Sequence, residues 1–107
     1  MAGHKAVDLM VNDVNQGDAN RWVDWPGGDG VFLAEAGSWS GGNVKLEGQS
    51  RNGTAIGISQ YATTSAIQIT SNNMANFRFP QGKIRVTVTS ATAVYASAIQ
   101  VHSVMAG

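Results

Sequence analysis

This sequence predicts an all-β fold: a single β-sandwich or jelly-roll-like domain of about seven to nine short antiparallel strands. Three observations carry that expectation. Ile84, Val86 and Val88 are apolar and β-branched, while Lys83, Arg85, Thr87 and Thr89 fall between them on the other face. Turn-forming residues recur at short spacing along the whole chain, with no amphipathic helical stretch to compete. Residues 94–101 are small and apolar on both faces, the pattern of a strand covered on two sides. In a chain of 107 residues, the second cover is expected to come from another subunit.

The elements follow in order. Residues 4–11 read as a first strand or as an arm, because Ala6, Val7, Leu9, Met10 and Val11 need cover. Residues 21–25 make a short strand stopped by Pro26, Gly27 and Gly28. A long strand over 30–39 places Val31, Leu33 and Trp39 on one face, and Gly37 marks a bulge or a close backbone approach. Val44 and Leu46 alternate with Asn43, Lys45 and Glu47 as a half-buried strand. Asn52-Gly53 predicts a hairpin with a primed turn, which requires positive φ, and places Ile56 and Ile58 with Val44 and Leu46 on the core side. Short strands over 55–61 and 66–70 flank Thr63-Thr64-Ser65. Asn72-Asn73 turns the chain into residues 76–79, and Pro80-Gln81-Gly82 leads into a final hairpin over 84–101. No fixed-period repeat or linker appears, so the organisation is an arm or first strand over 1–20 and one β domain over 21–107.

Composition excludes several classes of function. Seven basic and seven acidic residues give zero net charge, and charged residues are 13% of the chain, about half the usual fraction. That balance lacks the basic excess of a nucleic-acid binder, and it protects poorly against self-association. The absence of cysteine rules out disulfides, thiolate metal sites and cysteine nucleophiles. No apolar run approaches membrane-spanning length, and the N-terminus has no signal-peptide core, so neither a membrane partner nor export by the secretory route is expected.

The candidate sites are weighed on the same terms. Trp22, Trp25 and Trp39 could stack sugar rings beside Asp24. Trp22 and Trp25 are three apart, however, and on one strand would point to opposite faces, so at least one belongs to the core. Asp18, Asp24 and Asp29 lie near glycines, but their spacing matches no calcium loop, and turn-forming or solvated roles are expected. His4 and His102 could meet if the terminal strands pair, yet two imidazoles make no metal site. Gly27-Gly28-Asp29-Gly30 lacks the lysine and hydroxyl of a phosphate loop, and no Gly-x-Ser-x-Gly elbow frames a nucleophile. The chain is therefore expected not to be an enzyme, to hold no metal and to need no cofactor. The candidate assembly surface comprises Val7, Leu9, Val11, Val94, Tyr95, Ile99 and Val101.

Longer stretches carry a resemblance. Gly30-Val31-Phe32-Leu33-Ala34-Glu35, the run from Gly37 through Trp39 and Val44 to Leu46, Phe79-Pro80-Gln81-Gly82-Lys83-Ile84-Arg85-Val86, and Val94-Tyr95-Ala96-Ser97-Ala98 together resemble small all-β virion proteins of tailed bacteriophages. The resemblance covers roughly residues 30–101, and its motifs are turns and alternations. It implies a virion structural protein made in the host cytoplasm, foremost a capsid decoration or cement subunit. Its partners would be itself, as a homo-oligomer with a trimer favoured, and the major capsid protein or another virion protein. A tail, neck or fibre component, or a carbohydrate-binding module, are the alternatives. The segment 1–20, outside the resemblance, is expected to reach onto the capsid or a sister subunit.

Overall fold

A computed structural model describes residues 6–13 and 17–101. Nine strands form among them: β1 (Ala6–Asp13), β2 (Val23–Trp25), β3 (Gly28–Ser38), β4 (Asn43–Gln49), β5 (Ala55–Gly57), β6 (Gln68–Ile69), β7 (Asn73–Phe79), β8 (Gly82–Thr89) and β9 (Thr92–Gln100). They build two antiparallel sheets, one in the order β1-β9-β3-β7 and the other β2-β8-β4-β5, with β6 also paired to β4. The all-β sandwich of about nine strands is thus the architecture of this chain.

The core lies between the sheets. Leu9, Met10, Phe32, Phe77, Val94, Ala96 and Ala98 line the first sheet's inner side, against Trp25, Val44, Leu46, Ile69, Ile84 and Val86 from the second. No polar or charged residue is buried among the described residues. The alternation read in β4 and β8 therefore maps directly onto burial: Val44, Leu46, Ile84 and Val86 face in, while Lys45, Lys83 and Arg85 face out.

Large rings close one end, and they fit because glycine stands opposite. A Cβ on Gly30 would lie 2.7 Å from the Trp25 ring and 2.8 Å from the Phe77 ring. Trp25 and Phe77 meet with ring centroids 5.0 Å apart, and the Trp25 indole N–H donates to the Phe79 carbonyl at 3.0 Å. Gly48 leaves similar space for the Phe79 ring. At Gly37 the close-approach alternative holds: the register with β9 continues from Ala36↔Val94 to Ser38↔Thr92, and a Cβ on Gly37 would lie 3.0 Å from that of Ala93.

Four sequence expectations change. Of the two readings of the N-terminal segment, first strand or arm, residues 6–13 take the first: they form an edge strand paired with β9, with Leu9 and Met10 buried in the chain's own core instead of reaching outward. The register moves from Asp8↔Ser97 to Met10↔Ala96, so Leu9 is an extra residue, a β-bulge. That bulge lets two consecutive residues bury, which strict alternation forbids. Residues 84–101 form no hairpin: β8 belongs to the second sheet and β9 to the first, and the chain crosses between them at Ser90 and the fully buried Ala91.

The β4–β5 hairpin does exist, but without a primed turn. Gly53 donates to the Ser50 carbonyl at 2.9 Å and Ser50 to the Thr54 carbonyl at 2.8 Å, and Gly53 alone in the loop has positive φ, at 86°. This is a four-residue turn, Ser50 to Gly53, whose last residue is the left-handed glycine, the common form for three-residue hairpin loops. Ile58 is buried, but Ile56 remains 46% exposed, because β5 is the outermost strand and the core ends before it.

Candidate assembly surface

The inner side of the first sheet is packed, so its outer side takes every other residue of each strand. Across that face run Ala6, Asp8 and Val11 from β1, and Tyr95, Ser97 and Ile99 from β9. From β3 and β7 come Val31, Leu33, Glu35, Met74, Asn76 and Arg78. Cross-strand pairing fixes the rows: Asp8, Ser97, Leu33 and Met74 form one, and Ala6, Ile99, Val31 and Asn76 the next. Val11 and Met74 are each 60% exposed, Tyr95 44% and Val101 38%. Val11, Met74 and Tyr95 border a shallow depression of about 600 Å³, together with Asp8, Leu33 and Glu35.

The second sheet's outer side is of another kind. Asp24 pairs with Lys83 at 2.6 Å and Glu47 with Arg85 at 2.9 Å, both across paired strands. The Arg85 guanidinium sits 4.5 Å over the Trp22 ring, so that ring covers a charged pair on the outer surface. Thr87, Lys45 and Gln68 continue the polar surface. The outer face of the second sheet is thus charged and polar, while that of the first is largely apolar and equally open to solvent.

Of the seven candidate assembly residues, alternation separates two. Leu9 and Val94 point inward and are at most 1% exposed, so they belong to the chain's own core rather than to an interface. Val7 packs against that core and is half-buried. Val11, Tyr95, Ile99 and Val101 share the outer face or its lower end, where Val101 donates its N–H to the Asp29 carbonyl at 2.9 Å. Sequence reading missed Leu33, Val31 and Met74 as members of this surface. For Val31 and Leu33 the signal was present in β3, where both fall on one side, but only the register shows that this side is the outer one and that Met74 of β7 joins it.

The tryptophans do not share a platform. Trp25 is in the core, Trp22 lies under Arg85 outside the second sheet, and the Trp39 indole N–H donates to the Asn72 side-chain carbonyl at 2.9 Å where β3 meets β7. Asp24 and Asp29 are not turn residues: both sit in strands with a cation opposite. The hydrogen bond from Lys83, then its charge, holds the Asp24 carboxyl below the usual carboxylate range. The hydrogen bond from Arg78 does the same for Asp29, and Arg78 is raised in turn, chiefly by Asp29. Arg78 also lies 4.8 Å over the Tyr61 ring. Asp18 has Arg21 at 3.8 Å. Among the described residues no group of three or more His, Cys, Asp or Glu converges to hold a metal. His4 and His102 lie outside the described residues, although the strands nearest them, β1 and β9, do pair.

The whole sandwich has a counterpart among solved structures. The chain is similar to the crystal structure of the SPBc2 prophage-derived protein YomS, with a TM-score of 0.66 and 14% sequence identity over 94% of each chain. At that identity the likeness speaks for the fold. No family model matches the chain, and no curated protein matches it in sequence.

Proposed function

We propose that this chain is a non-enzymatic structural protein of a phage virion, foremost a decoration or cement subunit that acts as a homo-oligomer on the assembled head. The observation that carries the reading is the uncovered apolar outer face of β1-β9-β3-β7, with Val11, Met74, Tyr95 and Val101 in water. Exposed apolar patches of this kind mark association surfaces on otherwise polar proteins. The fold it shares with a prophage-derived protein supports the phage setting. Burying such a face across a junction between capsid subunits would bind the assembled shell in preference to free subunits, and mass action would then stabilise the shell.

Sedimentation with particles tests the reading. Purified chain, added to phage heads and to tails that lack it, is expected to pellet with heads and to delay their heat-induced opening. Pelleting with tails alone would move the protein to the tail, neck or fibre alternative. Binding to neither would end the virion reading.

A further inference from the structure

The bend between β8 and β9 conflicts with its own residues. Among the nine strands, three connections of two residues pass from one sheet to the other. Pro26-Gly27 and Pro80-Gln81 begin with proline, and Gly27 takes the positive φ of the first, at 99°. The third, Ser90-Ala91, has neither proline nor glycine. Ala91 donates to the Thr89 carbonyl at 2.8 Å, and Ser90 between them has a φ of 63°, which makes the rarer and more strained of the two γ-turn forms. Just inside β9, Ala93 also stands at positive φ, 54°. Residues with a Cβ disfavour that region, and the flanking Thr89 and Thr92 favour extended backbone.

β9 follows this bend and fills a slot between β1 and β3. It pairs with β1 from Ala6↔Ile99 to Asp13↔Val94, and with β3 from Gly30↔Gln100 to Ser38↔Thr92. As the last of the nine strands, it can leave the slot without drawing another strand with it. A second copy's β9 fits the same slot residue for residue. Exchange therefore keeps each strand contact of β9 and alters the bend alone, which can then straighten. Short connections under strain favour such exchange, and it is a low-cost route to oligomers.

We propose that copies of this chain associate by exchanging β9: the bend at Ser90 to Ala93 opens, and β9 of one copy lies between β1 and β3 of the next. Two copies exchange reciprocally, and three exchange in a ring. This deepens the reading above and rests on its self-association, not on the capsid. In the exchanged form Tyr95, Ser97 and Ile99, which run through the apolar outer face, come from a neighbour, so each face is built from two copies.

The chain has no cysteine, so a disulfide across β3 and β9 can report whose β9 fills the slot. Leu33 and Ser97 are directly paired there, at a separation that suits a disulfide. The full chain carrying L33C/S97C is unfolded, refolded at low or at high micromolar concentration, then diluted and oxidised at once. Light scattering before dilution and a non-reducing denaturing gel afterwards read the outcome. Refolding at low concentration should give internally bridged monomers. Refolding at high concentration should give a multiple of the monomer mass that persists on the gel until reductant is added. In the same background S90G/A93G relieves the bend and should associate about tenfold more weakly or worse. S90V, at an exposed position, opposes the bend and should associate more tightly. Should S90V fail to fold, the glycine variant decides. An oligomer whose gel shows monomers alone associates side by side, which overturns exchange and leaves self-association standing. A parent chain monomeric at every concentration overturns the proposal, as does a glycine variant that associates as tightly as its parent. Particle binding is scored apart, with the cysteine-free chain: exchange without pelleting on heads or tails would end the virion reading and leave exchange standing.

Discussion

Gly48 shows how little room a single position can have. The Phe79 ring occupies the place where its Cβ would stand, and Trp25 and Phe77 crowd Gly30 in the same way. Gly48→Ala should therefore destabilise the fold by about 1–3 kcal/mol, the usual cost of overpacking. Trp25→Ala should cost about 3–5 kcal/mol, because it empties the end of the core and leaves the Phe79 carbonyl without its donor. Urea titrations of both variants measure this. The surface carboxylates behave differently. Asp24 and Asp29 titrate below their ordinary value, so the stability they lend is present above the unfolded-state pKa, near 3.9, and is lost as pH falls through the lower folded-state value. Asp29→Asn should melt below wild type at pH 7, and the gap should close in acid. Both groups are exposed, so the gap is small. A gap that widens in acid would reverse this account.

Among the elements, β1 carries the largest correction. Leu9 and Met10 each bury in the core, and losing one such side chain costs about 2–5 kcal/mol. A domain of this size has a total of about 5–15 kcal/mol, so removing residues 1–13 should leave a chain that does not fold cooperatively, as circular dichroism would show. Gly53→Val should lower stability by about 1–2 kcal/mol, because a β-branched residue resists the positive φ found there. The strands over 43–49 and 82–89 were legible because one face is dry and the other wet, so period two survives in the residue types. β1 was legible only as a strand or an arm, since its bulge buries neighbours in sequence and erases the period. The supposed final hairpin failed for a topological reason: alternation reports which side of a strand is covered, never which strand lies beside it.

At the scale of the molecule, the sequence announced a last strand apolar on both faces and a charge-poor chain, and the outer side of that strand lies at the middle of one largely apolar face. Asp8 and Glu35 stand 27 positions apart in the chain and border one depression only because β9 lies between their strands. That same placement has a consequence for synthesis. β9 is inserted between β1 and β3, and it is the last of the nine strands to leave the ribosome. β1 has no strand partner until then, while β2, β4 and β8 can already pair. Nascent chains stalled before Thr92 should hold a protease-sensitive N-terminal segment, and those extended past Gln100 and clear of the exit tunnel should protect it. Vectorial synthesis would thus keep the apolar outer face unbuilt until β9 has emerged, which spares each copy a premature neighbour on the same polysome.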